Sequence, residues 1–107
     1  MPARKNPLEN CTGFEWDEAN TLKNWERHGV TPEEAEAAFF NEPLLVRSDV
    51  QHSKREKRHY ALGRTDEGRC LFIAFTMRRT SVRVISVRDM NQRERSAYAY
   101  HEEEADS

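Results

Sequence analysis

The residues of this chain that could do chemistry lie between positions 52 and 88: Arg58, Arg64, Arg69, Arg78, Arg79, Arg83 and Arg88, preceded by His52 and Glu56. A guanidinium stays charged at any working pH and grips phosphate oxygens with two parallel N–H donors. Histidine titrates near neutrality. Metal-free cleavage of an RNA phosphodiester needs such a set. A base takes the 2′-hydroxyl proton, cations hold the pentacoordinate phosphorane, and an acid protonates the leaving 5′-oxygen. Strand parity predicts which arginines meet. Pairing Arg64 with Arg69 across one hairpin, and placing Arg88 across from Leu71, brings Arg64, Arg69 and Arg88 to one end of a sheet. Arg78, Arg79 and Arg83 gather at the other hairpin, where they and Arg58 are candidates for positioning RNA. His52 and Glu56 are the candidates for proton transfer, although Glu56 could equally pair with Arg58 in a local loop. Unpaired solvated arginines at hairpin ends are the plainer alternative throughout.

Charge supports a polyanion surface here. Residues 52–95 carry 12 basic and 5 acidic side chains, whereas the whole 107-residue chain sums to −2. The first 51 residues and the last 12 are acidic, so the basic segment reads as a working face supported by acidic helices. Four histidines without a close His/Cys/Asp spacing make no zinc pattern, and no glycine-rich phosphate loop or nucleophile elbow occurs. No metal or cofactor is expected. No apolar run approaches the ~20 residues of a membrane span. Cys11 and Cys70 are expected to be free thiols in a reducing cytoplasm.

The elements that must position these groups follow from local signals. Residues 1–13 are expected to be a flexible N-terminus, residues 14–101 a single domain, and residues 102–107 an acidic tail. Phe14–Trp16 suits a short strand or lead-in. Asp17 caps a helix running to about His28, with Leu22 and Trp25 on its inward face and Gly29 ending it. Thr31-Pro32-Glu33-Glu34 opens a second helix with a capping box. Strands are expected at Leu44–Ser48, Lys57–Arg64, Cys70–Met77 and Val82–Arg88, the last three as an antiparallel meander. Asn91-Gln92-Arg93-Glu94 opens a third helix through about His101, from which Tyr98 anchors on the sheet.

In this order the residues resemble the BrnT family of ribonuclease toxins from bacterial type II toxin–antitoxin modules. The similarity runs through Phe14-x-Trp16-Asp17, Asn24-x-x-Arg27-His28-Gly29-Val30, Glu33-Glu34-Ala35, Phe39, His52-Ser53-x-x-Glu56-x-Arg58, Gly63, Gly68-Arg69, Thr76-x-Arg78, Arg83–Arg88 and Glu94-Arg95-x-x-Tyr98. Asn20 and Asp89-Met90 depart from its usual pattern. The resemblance implies an α+β, RelE-like fold, with two short N-terminal helices, an antiparallel sheet of about four strands and a C-terminal helix. It implies a metal-free endoribonuclease that inhibits translation, neutralised by a BrnA-type ribbon-helix-helix antitoxin. A two-plus-two hetero-oligomer would follow by symmetry, touching operator DNA only through the antitoxin and no membrane. The reading from a different class is a non-catalytic RNA-binding or antitoxin-partner subunit acting in transcriptional autoregulation.

Overall fold

The computed structural model describes residues 8–52 and 56–106, the side chains of residues 52 and 104–106 excepted. The expectation of a flexible 1–13 segment lies outside the described residues for its first seven positions. In chain order the elements are β1 (Gly13–Trp16), α1 (Glu18–His28), α2 (Pro32–Phe40), β2 (Leu45–Ser48), a 3-10 turn (Val50–His52), β3 (Arg58–Arg64), β4 (Cys70–Arg78), β5 (Ser81–Asp89) and α3 (Gln92–Asp106). The strands form one mixed sheet in the order β1-β5-β4-β3-β2. The meander β3-β4-β5 forms its centre, and β1 adds a fifth strand parallel to β5.

The helices start where side chains can replace missing backbone partners. Asp17 accepts from the Asn20 N–H, and Thr31 and Glu34 make the reciprocal capping box. Asn91 and Glu94 do the same for α3 at 2.8 and 2.9 Å. Gly29 closes α1 in the left-handed region at φ 62°, where a residue with a Cβ would be strained.

One sheet face is covered by the N-terminal helices. Val30, Ala35, Ala38, Ala61, Leu71, Ile73, Phe75, Val82, Val84 and Val87 make the main core there. A Cβ added to Gly63 would lie 2.9 Å from the Ala38 carbonyl, so glycine at this position lets α2 sit directly on β3. The other face is covered at one end by α3, through Leu62, Met90 and Tyr98. The Tyr98 hydroxyl donates to the Pro43 carbonyl at 2.7 Å, and burial pushes its pKa up to about 12.

Three expectations are corrected. First, α1 is turned the other way. Leu22 and Trp25 are 58% and 57% exposed, and Asn24 is the residue that faces in. β1 pairs with β5 only as far as Val84, and beyond it the Asn24 carboxamide accepts from the Val87 N–H at 3.1 Å. The polar side chain is needed to finish a sheet edge that no strand covers. Second, Arg64 pairs with Cys70, not Arg69, because the Thr65 N–H bonds the Arg69 carbonyl and closes a longer loop. Third, a bulge between Ala74 and Phe75 puts Arg88 across from Phe72, not Leu71. Each one-residue slip moves a side chain to the opposite face. The two slips leave Arg64 and Arg88 together and put Arg69 on the helical face. The three do not share a pocket. In addition, α3 continues to Asp106, so Glu102 belongs to a helix.

Candidate nucleic-acid interface

Register assigns Arg47, Arg58, Arg64, Arg78, Arg83 and Arg88 to the sheet face that carries α3. At the α3 end, carboxylates of that helix hold the arginines. Arg88 donates two bonds to Glu94 at 2.7 and 2.9 Å and lies 4.0 Å over the Phe72 ring. Burial pushes the Glu94 carboxyl up, but the Arg88 and Asn91 bonds outweigh it and hold it below the ordinary range. Arg64 pairs with Glu102 at 2.7 Å. On the opposite face Arg69 makes five hydrogen bonds, two to Asp89, one to Glu34 and one each to the His28 and Gly29 carbonyls. That geometry is a clamp on the C-terminus of α1, whose last carbonyls lack helical partners.

The other end of the face differs. In one row across the sheet lie Glu15, Arg83, Thr76 and Arg58. Direct cross-strand neighbours have Cβ atoms about 5 Å apart, so two guanidinium stems flank the Thr76 hydroxyl. That hydroxyl is buried and has no hydrogen-bond partner among the described residues. The nearest carboxylate to Arg83 is Asp17 at 3.8 Å, too long for a hydrogen bond. Arg47 is exposed and donates to the Val46 carbonyl. Arg78 pairs with Glu56 at 3.2 Å, both half-exposed. Arg79 stands in the β4–β5 turn at φ 58°, a left-handed conformation that a side-chain-bearing residue adopts at a cost.

At the same end of the sheet a groove of about 1080 Å³ is lined by Arg47, Lys57, Tyr60, Arg79 and Glu56 and reaches Val46, His59 and Met77, which register assigns to the helical face. His59 is buried and stacks on Phe75 with ring centroids 5.4 Å apart. Burial, with Lys57 nearby as a lesser cause, pushes its pKa below the ordinary histidine value, so the imidazole is neutral at neutral pH. Tyr60 stacks on Phe72 at 5.3 Å and 20°. With Arg88 on the far side of Phe72, the order Tyr60–Phe72–Arg88 is a ladder of flat groups of the kind on which bases stack.

Of the residues singled out for chemistry, the structure brings Glu56, Arg58, Arg78, Arg79 and Arg83 to one end of one face. It places Arg64 and Arg88 at the other end of that face and Arg69 behind the sheet. The His52 side chain lies outside the described residues. His59, Thr76 and Arg47 were not singled out. The signal for His59 was alternation, since positions 59, 61 and 63 share the inward parity of β3 and a histidine there must be buried. Thr76 sits in the central strand, where a hydroxyl needs a partner. Among the described residues no three His, Cys, Asp or Glu side chains cluster as metal ligands, and no helix is long and apolar enough to cross a membrane.

Comparison with curated proteins returned no significant match. Among solved structures, the Brucella abortus ribonuclease toxin BrnT is similar in fold, with a TM-score of 0.57 and 22% identity. The match covers 75% of this chain and 97% of that one. A family model described as the ribonuclease toxin BrnT of type II toxin–antitoxin systems matches residues 16–94. The chain therefore belongs to the BrnT family of type II ribonuclease toxins.

Proposed function

We propose that this protein is a metal-independent endoribonuclease that cuts RNA by attack of the 2′-hydroxyl and thereby inhibits translation in the cytoplasm. The observation that carries the reading is the row Arg58–Thr76–Arg83 on the open end of the sheet face. A phosphate seated there meets two cations and a hydroxyl that lacks a partner, which is the donor set a phosphorane needs. Arg47 and Arg79 hold flanking phosphates, and Tyr60 supports a base. Glu56, held at the rim by Arg78, is the proton acceptor, while His59, on the opposite sheet face, supports β3 by stacking on Phe75. Arg64 and Arg88, paired with α3, act on the RNA by positioning Phe72 and Tyr60. A BrnA-type ribbon-helix-helix antitoxin neutralises the activity in a two-plus-two complex, and operator DNA is reached only through it.

The test is incubation of the purified protein with RNA in EDTA. The expected products end in 2′,3′-cyclic phosphates. An Arg58→Ala/Arg83→Ala variant that still folds loses roughly 100-fold or more in rate and loses about 0.7 in salt slope for each phosphate contact removed. Intact RNA together with salt-dependent binding would overturn the nuclease and leave a non-catalytic binding subunit.

A further inference from the structure

A soluble helix normally buries its large apolar residues and leaves polar ones in water. Helix α1 does the reverse. Leu22 and Trp25, three positions apart and so on one face, are each more than half exposed. Asn24 is buried, and its Nδ2 has no partner among the described residues. The inward asparagine is explained by the Val87 N–H it caps. The outward leucine and tryptophan belong to neither core cluster of the described residues. They border a mostly apolar depression of about 400 Å³ whose other walls are Trp16, Glu18, Thr21, Thr31 and Pro32. Exposed around it are Glu18, Glu26 and Glu33, while Lys23 and Arg27 fall on the far side of the helix at 100° per residue.

We propose that this face of α1 is where the antitoxin docks, through an apolar segment flanked by lysine or arginine. The inference rests on the family's toxin–antitoxin character and adds the surface and the chemistry of the segment. The carboxylates around the patch repel RNA phosphates. In a two-fold contact between copies, the same acidic rim would face itself, which disfavours self-association. A basic-flanked apolar segment satisfies both the patch and its rim. The patch also lies on the helical side of the sheet, away from the Arg58–Thr76–Arg83 row. Docking and RNA cleavage should therefore be separable by mutation.

The experiment uses the full toxin and the purified antitoxin encoded beside it. In a Leu22→Glu/Trp25→Glu variant, affinity for the antitoxin measured by calorimetry falls by about 100-fold or more, as for a central aromatic anchor. Circular dichroism, melting temperature and RNA cleavage stay at wild-type values, giving a toxin that the antitoxin no longer silences. Glu18→Lys/Glu26→Lys weakens binding as well, and the loss shrinks at high salt. Antitoxin affinity of the leucine–tryptophan variant within twofold of wild type overturns the inference and leaves the nuclease and the antitoxin reading intact. A wild-type dimer that the double variant converts to monomer, with antitoxin affinity unchanged, assigns the patch to self-association and overturns it too. If wild-type toxin binds no antitoxin, the neutralisation reading and this inference fall together, whereas the cleavage assay still stands by itself.

Discussion

Replacing Arg69 tests whether an arginine chosen for chemistry is instead a structural clamp. Its guanidinium bonds the His28 and Gly29 carbonyls at 2.9 Å each, and it reaches Asp89 and Glu34. The two carbonyl bonds contribute about 1 kcal/mol each. The carboxylates are half-wet, Asp89 being 61% and Glu34 34% exposed, so each ion pair is discounted to about 0.5 kcal/mol. Arg69→Ala should therefore destabilise by roughly 3 kcal/mol, which for a chain of this size lowers the melting temperature by about 12 °C. Arg69→Lys recovers little, because an ammonium cannot span four residues with a planar fork. The effect has a pH signature. The Arg69 bonds hold Asp89 below its ordinary pKa, and the Thr31 backbone bond, with Arg69 adding to it, holds Glu34 below its own. Depressed folded-state values mean stability that is present above the unfolded pKa of about 4 and is lost as pH falls through the folded values. The gap between wild type and variant should accordingly be full at pH 7 and narrow below about pH 4. Urea melts and RNA cleavage are measured side by side at a temperature where both proteins are folded. A variant that melts like wild type but no longer cuts RNA would refute the clamp and return Arg69 to the chemistry.

Three further outcomes are expected. Arg79→Gly relieves a left-handed side chain at φ 58° and should raise stability by about 0.5–1 kcal/mol, while the loss of a groove cation weakens RNA binding. A variant that gains stability and binds RNA as wild type does would remove Arg79 from the interface. Glu56→Gln should lower the cleavage rate by about 100-fold or more. His59→Asn, behind the sheet and stacked on Phe75, should instead lower stability and leave cleavage by the folded variant near wild type. Burial depresses the His59 pKa below the ordinary histidine value. The same depression means that folding stability carried by neutral His59 is lost as pH drops below about 6.5. A His59→Asn variant that folds as wild type does but no longer cuts RNA would return proton transfer to His59.

What could be read from the residues was what local chemistry decides. The Asp17, Thr31 and Asn91 caps, the left-handed Gly29 and the apolar meander from Arg58 to Asp89 each depend on a few neighbouring side chains, and each is present in the structure. Register was out of reach, because it depends on a bulge between Ala74 and Phe75 that no local pattern announces. That bulge and the one-residue slip that pairs Arg64 with Cys70 together separate Arg69 from Arg64 and Arg88. The orientation of α1 was misread for a related reason. Leu22 and Trp25 have the spacing of a buried stripe, but the demand that turns the helix comes from the Val87 N–H, sixty-three residues away. The fifth strand rested on the same kind of long-range partner, since Gly13–Trp16 becomes a strand only by lying along β5.

On the proposed reading, carboxylates mark the arginines that support the fold. Basic residues crowd one segment of the sequence, and nothing local tells them apart. In the folded chain, Glu94 and Glu102 from α3 claim Arg88 and Arg64, and Asp89 with Glu34 claims Arg69. A cation already bonded by a carboxylate must break that bond before it can hold a phosphate, and the cost rises with burial. Arg83, whose nearest carboxylate stands at 3.8 Å, has no such bond to break. The acidic helix α3 thus has a definite role: it neutralises the end of the face that carries Arg64 and Arg88. Shortening α3 before Glu102 would free Arg64 and should extend RNA binding toward the aromatic ladder rather than abolish it.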